Sequence, residues 1–155
     1  MRKLILITNP GSASRKYALY DGEQLLVKMH FEFEGDNIVC TLSDENGRKE
    51  KEVVKIKTLN EAVGEVDRIL HREHYLSDKN KLAAAVIRVV APGDFFVTDH
   101  VVDDEFMRQL EIAAERNPVH VPNTKIEISC MLEVFKDTKI IAVSDSASIG
   151  TSQTR

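Results

Sequence analysis

From residue 25 to residue 34 the chain reads Leu-Leu-Val-Lys-Met-His-Phe-Glu-Phe-Glu, and Leu25, Val27, Met29, Phe31 and Phe33 fall at every second position. Successive side chains of a strand point to opposite faces, so this alternation demands an extended segment with one buried and one polar face. Such a strand needs partners, and turn signals on either side supply them. Asp21-Gly22 precedes it, Gly35-Asp36-Asn37 follows it, and Asn46-Gly47 marks a further hairpin. Together they divide the first third into strands over 4–8, 16–20, 25–34, 38–42 and 52–56, an antiparallel meander.

The period then changes. Ala62, Val63, Val66, Ile69 and Leu70 recur at helical spacing, with Thr58 and Glu61 placed as a capping box. Residues 83–90 are apolar except for Arg88, which predicts a central strand buried on both faces. Residues 103–116 read as a helix with acids in its first turn, favourable for its dipole. Another helix starts at Asn123 or Thr124 and carries Ile126, Ile128, Met131, Leu132 and Phe135. A last strand covers 139–143, and the tail has no apolar periodicity. Strands alternating with helices imply a sheet with parallel members and helices packed on it, an α/β fold.

The chain's 155 residues suit one domain able to bury a real core, and 43% hydrophobic with 30% charged residues is an ordinary globular mix. A net charge of −4 argues against general nucleic-acid binding but leaves room for a local anion pocket. Cys40 and Cys130 form no CxxC pair and read as reduced thiols of a cytoplasmic protein. The first apolar run is five residues long, too short for a signal peptide, and no stretch approaches the roughly 20 apolar residues of a membrane span.

After the first strand comes Asn9-Pro10-Gly11-Ser12-Ala13-Ser14-Arg15-Lys16-Tyr17. A small-residue turn lets backbone N–H groups approach an anion, Ser12 and Ser14 add hydroxyls, and Lys16 adds a point charge. The alternative is a plain hairpin turn with Lys16 on a solvated strand. Arg88, alone in an apolar run, requires an anion or a structural acid such as Asp94. Asp145 follows the last strand, at the end where ligands collect in open α/β sheets; a loop acid capping nearby N–H groups is its other reading. His30, His71, His74 and His100 have no partner at metal-ligand spacing and read as surface.

Four stretches, in order, resemble the N-terminal half of acetate kinase and its carboxylate-kinase relatives. The 9–17 segment is similar to that family's N-A-G-S-S-S-L-K-Y. Ile87-Arg88-Val89-Val90-Ala91-Pro92-Gly93 resembles H-R-V-V-H-G-G, Asn117-Pro118-Val119-His120-Val121-Pro122 resembles A-P-L-H-N-P, and Ser144-Asp145-Ser146-Ala147-Ser148-Ile149 resembles F-D-T-A-F-H. Both histidines of the second pattern are replaced, by Ile87 and Ala91, and that of the fourth by Ile149.

The resemblance implies a ribonuclease-H-like domain of the actin-like ATPase superfamily, with a five-stranded core sheet. Residues 1–148 would be a single N-terminal domain and 149–155 a tail, with the family's second lobe absent or replaced by a homodimer partner. It implies transfer of the ATP γ-phosphate to acetate or a similar short-chain carboxylate. Gly11, Ser12, Ser14 and Lys16 would hold ATP phosphates, and Asn9 would organise Mg²⁺. Arg88 and His120 would bind the acceptor, and Asp145 would be the catalytic acid. The other expectation is a one-lobe relic that binds without catalysing.

Overall fold

The meander forms as the alternation requires. In the computed structural model, which describes residues 2–144, β1 (Leu4–Pro10), β2 (Ser14–Asp21), β3 (Gln24–Glu34), β4 (Asn37–Asp44) and β5 (Lys49–Val54) pair antiparallel, each with the next. Gly22, Gly35 and Gly47 turn the hairpins at φ of 60°, 64° and 86°, a region that favours glycine. β5 begins three residues before the expected strand, because Lys49 pairs with Ser43 directly after the Asn46-Gly47 turn.

Then α1 (Ala62–Arg72) follows a short 3₁₀ turn in which the Thr58 N–H donates to Glu61 Oε2 at 2.9 Å. β6 (Leu82–Val89) lies parallel to β1, and β8 (Lys139–Ser144) lies parallel to β6. Between them come β7 (His100–Val101), α2 (Asp104–Arg116) and α3 (Val121–Val134). The Asp103 carboxylate caps α2 by accepting from the Phe106 N–H at 2.8 Å, worth about 1 kcal/mol. α3 starts two residues earlier than Asn123, since Pro122 is tolerated in a first turn where its missing N–H has no role.

The sheet order is β5-β4-β3-β2-β1-β6-β8-β7, eight strands that extend the expected five-strand core at both edges. The two-residue β7, antiparallel to β8, carries too little pattern to be read from sequence. β6 corrects another expectation. It is central but not buried on both faces: Ala85, Ile87 and Val89 are buried, whereas Ala83 and Arg88 are exposed. The three helices pack on the Leu6–Tyr17–Ile87 side and share one core with it. His100 is not a free surface residue either. It stacks on Phe95 at 4.0 Å between ring centroids, and its Nε2 donates to the Phe95 carbonyl at 2.6 Å.

Candidate functional site

Strand alternation decides where the two cations after the first turn go. Arg15 shares the parity of Tyr17 and Leu19 and is buried, only 2% exposed; Lys16 points to the opposite face and is exposed. Between β1 and β2 the Gly11 N–H donates to the Ser14 carbonyl at 3.0 Å. A Cβ on Gly11 would lie 2.9 Å from that same oxygen, so only glycine permits the closure. The Gly11 amide is therefore committed to the turn, and the donors left at the tip are those of the exposed Ser12 and Ala13.

A cleft of about 490 Å³ opens where β1 and β6 end and α3 begins. Asn9, Gly11, Ser12, Arg88 and His120 line it together, along with Asn117, Asn123 and Thr124. Five of the eight expected site residues thus meet at the carboxyl ends of parallel strands, the place where open α/β sheets bind ligands. Arg88 stands beyond Ile87, the partner of Thr8, so it and Asn9 are neighbours on the same face. His120 occupies the cap position of α3, and its N–H is held by Asn117 Oδ1 at 3.3 Å. The described residues of this cleft include a guanidinium, a histidine, hydroxyls and amides but no carboxylate. That set suits an anionic ligand.

Ser14 and Lys16 do not line this cleft. Ser14 is the first residue of β2, and Lys16 faces a second groove that it shares with Asn9, Lys28, His30 and Lys49. Asn9 is the one expected residue common to both. Asp145 lies outside the described residues.

Beneath the cleft lies a polar cluster that the sequence reading passed over. Glu127 of α3 is fully buried and accepts from the Tyr17 hydroxyl at 2.7 Å. Arg15 Nε sits 3.7 Å from Glu127 Oε1, and Arg15 Nη2 donates to Asn60 Oδ1 at 2.9 Å. Arg15 Nε and Nη1 and Glu127 Oε1 have no hydrogen-bond partner among the described residues. Burial pushes the Glu127 carboxyl above its ordinary range, against the opposing pull of the Tyr17 hydrogen bond and the Arg15 charge. Burial also raises the Tyr17 phenol, and Glu127 adds to that. The signal was present: Arg15 falls two residues before Tyr17 on the core-facing parity of β2, in a position where the family motif has leucine.

A mixed sheet in the β3-β2-β1-β6-β8 order with helices on it has the actin-like ATPase-type fold. The comparisons agree. Residues 4–154 match the model of the Acetokinase family, and the chain belongs to that family. It is 33% identical over 147 residues to the acetate kinase of Clostridium botulinum (strain Okra / Type B1), covering 92% of this chain and 37% of that protein. The acetate kinase of Campylobacter lari is 28% identical over 145 residues, with the same coverage. A solved propionate kinase from Francisella tularensis superposes with a TM-score of 0.81 at 23% identity, over 94% of this chain and 37% of that one. The Porphyromonas gingivalis acetate kinase gives 0.82 at 22%, over 94% and 38%. At those identities the structures speak for the fold alone. The chain spans little more than a third of the length of these relatives.

Proposed function

We propose that this chain forms the acceptor- and phosphate-binding lobe of a carboxylate kinase, which transfers the ATP γ-phosphate to acetate or a similar short-chain carboxylate. The supporting observation is the single cleft that gathers Asn9, Ser12, Arg88 and His120. The Arg88 guanidinium offers two parallel N–H donors to the acceptor carboxylate. The Ser12 hydroxyl and the loop-tip amides face the phosphate. A carboxylate is already ionised at neutral pH, so positioning and charge neutralisation dominate the chemistry. In the reaction a carboxylate oxygen bonds to the γ-phosphorus, the bond from that phosphorus to the bridging oxygen breaks, and ADP leaves with the electron pair.

Mg²⁺ is the metal the family resemblance implies. Among the described residues no group of three or more His, Cys, Asp or Glu side chains is placed to hold a metal ion, and Asn9 alone offers the cleft's expected ligand. Mg²⁺ is usually bound by one or two carboxylates together with substrate phosphates. The described residues do not by themselves make that site. The second reading is a lobe that binds anions without catalysing.

A titration of the isolated chain with acetate, followed by amide shifts, tests the acceptor assignment. Shifts at Arg88, Val90 and His120 that vanish in Arg88→Ala support it. Equal binding by that variant removes Arg88 from the acceptor site. A hydroxamate assay with acetate, ATP and Mg²⁺ separates the two readings: the binding-only lobe gives no turnover, and rates on the order of 10 s⁻¹, typical of enzymes, establish the kinase.

A further inference from the structure

Two walls of the anion cleft come from segments far apart in sequence. Gly11 and Ser12 belong to the turn between β1 and β2, whereas His120, Asn123 and Thr124 belong to the start of α3. An anion that uses donors from both walls binds best when their separation is fixed before it arrives.

The buried polar cluster spans the same two elements. Arg15 pairs with Pro10 across the hairpin, at the neck of the turn and next to Ser14, whose carbonyl closes it. Glu127 follows Asn123 by four residues and Thr124 by three, so all three share one side of α3. Arg15 Nε lies 3.7 Å from Glu127 Oε1, between side chains that are both buried. A second arm of the guanidinium, Nη2, donates to Asn60 Oδ1 at 2.9 Å, in the 3₁₀ turn that leads into α1. Tyr17 steadies the other carboxylate oxygen, and its own ring is set edge-on to Phe31 at 5.7 Å between centroids. One guanidinium thus joins the neck of the turn to α3 and to the entry of α1.

Stability does not account for this arrangement. The Arg15–Glu127 contact is longer than a hydrogen bond, and three of its polar atoms lack hydrogen-bond partners among the described residues. Apolar side chains would fill the same space without desolvating two charges. A buried charge pair does supply register: it favours one placement of α3 against β2, where apolar contacts tolerate sliding. We propose that Arg15 and Glu127 are positioning residues, which set the β1–β2 turn against α3 and so preorganise the cleft for its anion. Neither lines the cleft itself. Their consequence for binding rests on the phosphate reading of the cleft; the tie between the two walls can be tested without any ligand.

The test uses the full chain, Arg15→Leu/Glu127→Leu, Glu127→Gln and Arg15→Lys. The double variant loses one charge of each sign, so the net charge stays at −4. Without ligand, exchange of the Gly11 amide should be about tenfold faster in the double variant, while Met29 and Leu42 in the meander stay protected. Pyrophosphate should bind the double variant about tenfold more weakly, although its urea midpoint stays close to the original. Glu127→Gln gives opposite signs for the two causes. Removing a negative charge near the cleft would by charge alone tighten an anion, whereas loss of the tie weakens it, and weakening is expected. Arg15→Lys keeps a cation beside Glu127 and should recover most of the affinity. The proposal is overturned if the double variant binds pyrophosphate as tightly as the original, if Glu127→Gln binds it more tightly, or if Arg15→Lys binds as poorly as the double variant. Should the original chain fail to bind pyrophosphate at millimolar concentrations, the phosphate reading falls and Gly11 exchange alone decides the tie: unchanged exchange in the double variant and in Glu127→Gln overturns it.

Discussion

Replacing Arg15 with leucine, the residue at this place in the family motif, leaves Glu127 buried beside Tyr17 with no cation. The carboxyl then escapes its charge by taking up a proton. Its ordinary value is 4.5, so holding the proton at pH 7 costs up to about 3.4 kcal/mol, at 1.36 kcal/mol per unit. At pH 5 the same step costs about 0.7 kcal/mol. The sign follows from linkage: a carboxyl raised in the folded state takes stability away as pH rises above its unfolded value, and returns it as pH falls. Glu127→Leu has no such escape, because Arg15 cannot shed its proton. It should cost about 3–5 kcal/mol at both pH values, the usual penalty for breaking a buried pair. The Arg15→Leu/Glu127→Leu double variant should fold within about 1 kcal/mol of the original or better, since an apolar replacement of a buried pair is often neutral or stabilising. Urea unfolding of all four proteins at pH 5 and pH 7 measures this. Additive single penalties, or an Arg15→Leu penalty that does not shrink at pH 5, would refute the reasoning.

Other expectations are simpler to state. Gly11→Ala should destabilise by about 1–3 kcal/mol, because its Cβ would press on the Ser14 carbonyl at 2.9 Å; a melting temperature that does not fall would contradict the turn geometry. Pyrophosphate should shift the Ser12 and Ala13 amides more than that of Gly11, whose N–H is bonded within the turn. Cys40 is buried, and burial pushes its thiol up to about 12, so a thiol reagent at pH 8 should label Cys130 well before Cys40 in the folded chain. Reaction of Cys40 first would mean that β4 opens locally.

Much of the fold was legible because its signals are local. The Val27–Phe31 alternation, the Asp-Gly and Asn-Gly turns and the Thr58–Glu61 capping pair each act within a few residues, and each appears where the sequence puts it, whereas Phe33 at the strand's end is 51% exposed and Leu26 is buried in place of Leu25. Arg88 lines the cleft in surroundings other than those expected: its apolar neighbours suggested burial on both sides, but among the described residues the face that carries Ala84, Val86 and Arg88 is less covered than the one that carries Ala85, Ile87 and Val89. The site was legible in so far as the motifs end strands, which brought Asn9, Ser12, Arg88 and His120 together. Lys16 was separated from that cleft by parity alone. The Arg15–Glu127 pair joins residues 112 positions apart, and only the register of α3 on β2 reveals it.

The strand order also sets a sequence of events in time. Leu19 meets Val27 and Lys28 meets Ser43 across tight hairpins, whereas β1 meets β6 only when Leu4 finds Leu82. Closing short loops is fast and long loops slow, so β2, β3 and β4 should acquire amide protection before β6 and β8 dock. Until they dock, β1 is a bare edge with unpaired backbone groups, open to the same edge on another unfinished chain. Pulse-labelled hydrogen exchange during refolding should show Met29 and Leu42 protected ahead of Val86. Refolding yield should fall as chain concentration rises during that interval.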